Sequence, residues 1–190
     1  KEAGVNIIYS LPGLKVHAKV ALVEREVAGE MVGYAFLSTG NFNEKTARIY
    51  ADHGYFTKDK LIIDDLKELF KHLAKPEYKP VGFNQLLVAQ FNMRRKFYRM
   101  IDREIDHVAA GRKGEVLIKL NNIEERGMIN KLYEASRAGV KITMLVRGIC
   151  CLKPGIKGMS ENITVTRIVD QFLEHARVFG FHNNGADELY

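Results

Sequence analysis

His17 and His175 are each followed two residues later by a cation, Lys19 and Arg177. On an extended chain, residues i and i+2 point to one side, about 7 Å apart. An imidazole and a cation so placed suit a phosphoryl group: the ring nitrogen attacks phosphorus and the cation neutralises its oxygens. With two copies, one histidine can serve as nucleophile and the other as proton donor. A half-buried strand that simply carries a histidine gives the same local pattern, so the recurrence carries the argument. It has a context as well. Glu2-Ala3-Gly4-Val5-Asn6-Ile7 echoes Arg137-Ala138-Gly139-Val140-Lys141-Ile142, and each echo precedes a His-Ala-basic triplet. The ordered pair suggests a duplicated α/β unit.

Other residues could join such a site. The segment Ser38-Thr39-Gly40-Asn41-Phe42-Asn43-Glu44-Lys45-Thr46-Ala47-Arg48 offers close backbone approach at Gly40. Asn41, Asn43, Lys45, Thr46 and Arg48 supply donors for phosphate oxygens. It is not a P-loop, because the G-x-x-x-x-G-K-S/T pattern is absent; a polar surface turn is its plainer reading. Arg147 follows an expected strand, and strand ends in α/β sheets are where ligands bind. Tyr50 is a candidate for stacking on a base, or a core tyrosine. Arg94, Arg95, Lys96, Arg99 and Arg103 open a helix, as a solvated face or the wall of an anion groove. His53, His72, His107 and His182 show no partner pattern. Cys150 and Cys151 are adjacent, and neighbours rarely bridge each other without strain. Two free thiols suit a reducing cytoplasm, and metal ligation lacks further ligands at the right spacing.

These residues need elements to position them. Residues 5–10 read as a short β-branched strand, followed by a turn at Leu11-Pro12-Gly13. Residues 16–24 alternate and, with a turn at Gly29 and a strand over 31–38, form a hairpin. Residues 41–50 are loop or short helix. Residues 59–73 have helical apolar spacing. Two prolines within residues 75–82 stop regular structure, and a domain boundary is placed at about residue 80. Beyond it come a helix over 93–110, with Phe97, Ile101, Ile105 and Val108 on one stripe, and a strand over 115–120. A helix over 124–137 is closed by a C-cap glycine at 139. Strands follow over 141–146, 163–169 and 176–181. The class is α/β with mixed sheets, in two domains, 1–80 and 81–190.

The chain has 190 residues, 46% apolar and 27% charged, with 29 basic and 23 acidic side chains and a net charge of +6. It can bury a core, which excludes a disordered chain, a collagen-like fibre and a disulfide scaffold. Its apolar runs are too short to cross a bilayer, and its start lacks a secretory pattern. The basic surplus suits an anionic partner, although it also serves solubility. Without an initiator Met, and with an incomplete second repeat, the chain is expected to be truncated at both ends.

The quoted segments together resemble polyphosphate kinase, the bacterial enzyme that polymerises the γ-phosphate of ATP. The resemblance rests on Leu11-Pro12-Gly13-Leu14-Lys15-Val16-His17-Ala18-Lys19 and on the run from Ser38 to Tyr50. It continues through Leu145-Val146-Arg147-Gly148-Ile149-Cys150-Cys151-Leu152-Lys153-Pro154-Gly155 and ends with Phe172-Leu173-Glu174-His175-Ala176-Arg177-Val178. It implies two phospholipase D-like catalytic domains: 1–80 would be the C-terminal part of the first and 81–190 the N-terminal part of the second. His17 resembles the phosphorylated histidine of the family, and His175 its second active-site histidine. Tyr50, Arg147 and His175 fall where the family contacts nucleotide. Lys19, Asn41, Lys45, Arg48 and Arg177 would hold phosphate and polyphosphate. ATP and ADP are the implied substrates, with Mg²⁺ held by residues upstream of Lys1 and no metal ligand here. The implied setting is cytoplasmic, peripheral to the inner membrane as a family tendency. The implied assembly is a homodimer or homotetramer with no nucleic-acid partner, and the isolated piece is expected to be inactive. The phospholipase D signature H-x-K-x4-D is altered in both copies, with Glu24 and His182 at the acidic position and Arg177 for the lysine. That argues against a phosphodiester hydrolase, which stays as an alternative beside a non-catalytic anion-binding module.

Overall fold

The computed structural model describes residues 3–9, 13–75, 77–169 and 171–190. Two units result: Lys1–Ser38 with Gly54–Asn92, and Thr39–His53 with Met93–Tyr190.

In the first unit, β1 (Val20–Val27) and β2 (Glu30–Ser38) form the expected hairpin. Ala28 and Gly29 both have positive φ, 52° and 83°. That is the turn whose twist matches the flanking strands. A further strand, Gly54–Thr57, adds antiparallel to the β2 edge. A helix, Lys60–Ala74, covers the sheet. It begins where Asp59 accepts the Leu61 and Ile62 amides, satisfying two orphan donors. Its Ile63, Leu66 and Leu69 bury against Ala35 of the sheet. A side chain at Gly33 would meet Ile63 at 2.6 Å, so glycine sets the close approach of β2 to this helix.

Two expectations fail in this unit. No strand forms over residues 3–9, where Val5, Ile7, Ile8 and Tyr9 stay exposed. A strand needs a neighbour for its amides and carbonyls, and among the described residues none pairs with this segment. The next strand starts at Val20 rather than 16, so His17 and Lys19 precede it. Gly13 keeps the positive φ of a turn, 76°. Leu11, Pro12, Ser10 and Pro76, which belong to the predicted turn, strand and break, lie outside the described residues. The described part of 75–82 is irregular, as the prolines require.

In the second unit, a short helix α1 (Glu44–Ala47) leads to β3 (Tyr50–Ala51). With the Gly54–Thr57 strand as β4 and the Lys60–Ala74 helix as α2, the next elements are α3 (Arg94–Ala109), β5 (Glu115–Leu120), α4 (Arg126–Arg137) and β6 (Lys141–Val146). Then come β7 (Ile163–Thr166), β8 (Leu173–Glu174), β9 (Val178–Phe181) and β10 (Glu188–Leu189). The main sheet runs β10-β9-β5-β6-β7, with β5-β6-β7 parallel and β9 and β10 antiparallel, the mixed sheet expected. Gly139 closes α4: its amide reaches the Ser136 carbonyl, and that of Val140 reaches Ala135. At φ 98° only glycine takes this position without strain.

The strands over 163–169 and 176–181 are shorter than predicted, ending at Thr166 and starting at Val178. His175 and Arg177 therefore flank a link between β8 and β9, and the His-x-basic motif is off the strand in both copies. In α3, Phe97 and Ile101 are buried as predicted, while Ile105 and Val108 are half-buried. Met100 and a carboxylate, Glu104, complete the buried face.

Two of the five cations of the basic cluster in α3 are paired with acids. Arg94 pairs with Glu125 at 3.3 Å, and Arg103 holds Glu188 through two bonds of 2.6 and 3.2 Å. The Arg103 guanidinium holds the Glu188 carboxyl below its ordinary pKa despite partial burial. A depressed carboxyl stabilises the fold above its unfolded pKa and loses that contribution as pH falls through the folded one. Acid unfolding of the native chain should therefore show an added loss of about 1 kcal/mol below about pH 4.5. Glu188→Gln should lack this loss when unfolding is followed as a function of pH.

Candidate functional site

In the second unit the structure gathers Tyr50 and His175, as the sequence suggested, and adds a carboxylate that it did not. β3 and β8 pair in parallel, Tyr50 with Leu173 and Ala51 with Glu174. This register places the Tyr50 and His175 rings 4.9 Å apart, inclined at 52°. The Nδ1 atom of His175 lies 3.5 Å from Asp52 Oδ1, and the His175 side chain is 13% exposed. Asp52 is two residues beyond Tyr50 and so shares its side of the chain. That alternation was the available signal, hidden by a two-residue strand.

The loop after β2 holds Asp52. Thr39 donates its hydroxyl to Asp52 Oδ1 at 3.2 Å and accepts the His53 amide at 2.9 Å. Gly40 is buried, and a Cβ there would meet Asp52 Oδ2 at 2.5 Å. The expected close approach at Gly40 is thus to a side chain of this chain. Asn43 is used locally, accepting the Lys45 and Thr46 amides as the cap of α1. The Thr46 hydroxyl returns to the Asn43 carbonyl. Asn41, Lys45 and Arg48 are exposed.

Arg147 follows β6, at the carboxyl edge of the parallel strands, where a cleft of about 600 Å³ opens. Asn121, Asn122, Arg167, Ile149 and Phe172 share its lining. The Arg147 guanidinium donates to the Glu174 carbonyl at 2.9 Å, and Arg167 donates to the Arg147 carbonyl at 2.9 Å. The cleft combines fixed cations, amides and apolar side chains, a chemistry that suits an anion bearing a flat ring. Arg167, Asn121 and Asn122 were not singled out in the sequence. Gly148 lets the loop sit on Asn122, whose Oδ1 accepts the Ile149 amide at 3.0 Å; a Cβ would meet that oxygen at 2.5 Å. Cys150 and Cys151 follow as free, exposed thiols.

Both motif histidines share a local device. Arg177 donates to the His175 carbonyl at 3.1 Å, and Lys19 donates to the His17 carbonyl at 3.0 Å in the first unit. Each cation is folded back on the histidine it follows. His17 is exposed. At the altered acidic positions, Glu24 pairs with Lys67 at 2.6 Å and His182 with Asp187 at 2.9 Å. Among the described residues, no group of three or more His, Cys, Asp or Glu side chains is placed to hold a metal ion. Among the described residues, no helix is long and apolar enough to cross a membrane.

A mixed α/β sheet with a cleft at its carboxyl edge and a paired histidine is the phospholipase D-like arrangement expected from the sequence. The crystal structure of polyphosphate kinase from Porphyromonas gingivalis matches it with a TM-score of 0.89 at 47% identity, over 99% of this chain and 31% of that one. The family descriptions "Polyphosphate kinase C-terminal domain 1" and "C-terminal domain 2" match residues 1–79 and 86–190. The chain belongs to the polyphosphate kinase family. It is 47% identical to a polyphosphate kinase of Vibrio parahaemolyticus and 46% identical to that of Escherichia coli K12, each over 189 residues. It spans 27% of the length of these relatives.

Proposed function

We propose that this chain is the carboxyl-terminal catalytic part of an ATP-dependent enzyme that extends inorganic polyphosphate. The supporting observation is the Tyr50–His175–Asp52 cluster beside the Arg147 cleft, in a chain whose relatives are named polyphosphate kinase over its whole length. In this reading the division near residue 80 separates two catalytic modules, in line with the ranges that the two family descriptions match.

His17 is the nucleophile. Its neutral imidazole forms an N–P bond with the γ-phosphorus while the bridging β–γ P–O bond breaks and its electrons leave with ADP. The terminal oxygen of a polyphosphate chain then attacks the same phosphorus, and the N–P bond returns its electrons to the ring. Positioning and charge neutralisation carry most of such a transfer. Lys19, Asn41, Lys45, Arg48, Arg147 and Arg177 meet the phosphate oxygens in this reading, and Tyr50 and Arg147 contact the nucleotide. Asp52 fixes which nitrogen of His175 faces the substrate, leaving Nε2 for proton transfer. Mg²⁺ accompanies the nucleotide phosphates and is held outside this chain. The complete protein acts in the cytoplasm as a homo-oligomer.

The test is incubation of the complete protein with γ-labelled ATP. Acid-labile, base-stable label on the protein, with labelled polyphosphate and ADP as products, is the expected result. Absence of both would overturn the reading. Cleavage of a phosphodiester to a phosphomonoester and an alcohol, without any nucleotide requirement, would favour the hydrolase.

Two further outcomes follow. Polyphosphate is a dense polyanion, so its binding should weaken steeply as salt rises, through counterion release. Titrations between low and physiological salt that give a flat affinity would count against a basic polymer track. Gly40→Ala would push Asp52 away from His175. Its turnover should fall by about 10- to 100-fold without loss of folding, in steady-state kinetics read beside a thermal melt.

A further inference from the structure

The peptide that carries His175 is gripped from both sides by cations of the main sheet. Arg147 Nη1 binds the Glu174 carbonyl, one residue before the histidine, at 2.9 Å. Lys119 Nζ binds the Ala176 carbonyl, one residue after it, at 3.3 Å. The same ammonium holds the Glu174 carboxylate at 2.7 Å. Lys119 lies inside β5, which is flanked by β6 and β9, and its side chain is only 19% exposed. An ammonium in a central strand costs desolvation, which here is offset by two acceptors that both belong to the segment 174–176. That segment has little regular structure of its own: β8 is two residues long, and its pairing to β3 ends with a long contact of 3.5 Å from the His175 amide to the Ala51 carbonyl. Its conformation depends on side chains.

We infer that Lys119, through Glu174 and the Ala176 carbonyl, is a positioning residue that sets His175 against Asp52 and Tyr50. The inference rests on the proposed role of His175. Lys119 reaches the histidine only through the peptide, whereas Arg147 also lines the cleft. Loss of the Lys119 ammonium should therefore impair the chemical step more than nucleotide binding.

The experiment compares Lys119→Met, which keeps the apolar stem, and Lys119→Arg, which keeps two donors, in the complete protein. Lys119→Met should lower kcat about 10- to 100-fold, the cost of a histidine displaced by a fraction of an ångström to an ångström. KM for ATP should stay within about 2-fold, because uniform binding is untouched. Lys119→Arg should restore most of kcat, a rescue that a packing role for the stem alone would not give. A KM increase with unchanged kcat would make Lys119 a substrate contact and overturn the inference, as would an unaltered kcat. His175→Ala, assayed alongside, separates the two levels. Full turnover in that variant removes the role of His175 itself. Lost turnover there with a silent Lys119→Met removes only the positioning by Lys119.

Discussion

Replacement of His17 by alanine is expected to abolish acid-labile phosphate incorporation from γ-labelled ATP and to lower turnover by about 10⁴-fold or more. In the proposed mechanism the covalent step has no substitute once its nitrogen is gone, because the remaining groups position and neutralise but do not form the N–P bond. His17 is exposed, and the Lys19 bond is to the backbone carbonyl of residue 17, which alanine keeps; a thermal melt beside the native protein checks that the variant folds. His175→Ala should behave differently. Its ring is largely buried against Tyr50 and Asp52, and it serves as an acid in this reading. Label should still enter at His17, while steady-state turnover falls by about 10²- to 10⁴-fold, the range of a lost general acid. Label retained in His17→Ala on another residue would refute the assignment. Label lost in both variants would place His175 in the first transfer rather than in a supporting role.

Glu104→Ala should destabilise the second unit by about 3–5 kcal/mol, as measured by denaturant unfolding. Glu104 is fully buried in α3. One carboxylate oxygen accepts the Glu115 amide at 3.1 Å and the other the Asn183 amide at 2.9 Å, with Arg103 3.9 Å away. It therefore ties the start of β5 and the corner after β9 to the helix they pack on. Alanine strands two amide donors and leaves a cavity, while Arg103 keeps its bonds to Glu188, and each stranded donor costs about 1–3 kcal/mol. For a chain of this size the thermal midpoint should drop by on the order of 10 °C. Asp65 is the counterpart in the first unit, 1% exposed and accepting the amides of Asn84, Gln85 and Leu86. Asp65→Ala should cost less, about 2–4 kcal/mol, because Asn84 and Gln85 lie at the surface, where water can replace part of the lost bonding. Equal stability of Glu104→Ala and the native chain would show that water satisfies those amides too.

What the sequence alone determined was the set of elements with strong local or periodic signals. The hairpin, α2, α3, the strands over 115–120 and 141–146, α4 and its Gly139 cap all follow from alternation, helical spacing and the conformational freedom of glycine. The motif residues that carry the family were legible for the same reason: they are contiguous. The tertiary structure decided the ends of strands. Residues 5–9 have strand composition and no strand partner among the described residues, whereas β3 and β8 have little strand signal and form because they meet each other. Pairing energy comes from a neighbour that can lie more than a hundred residues away, so local propensity fixes neither case. The same holds for the polar contacts. Asp52 reaches His175 across 123 positions of chain, and Lys119 reaches Glu174 across 55. Their residue types are common, and nothing in their spacing announces a bond. Lys119 in a central strand and Glu104 on the buried face of a helix were not singled out in the sequence. Only the fold, by removing water from around them, supplied the acceptors and donors that make each one necessary.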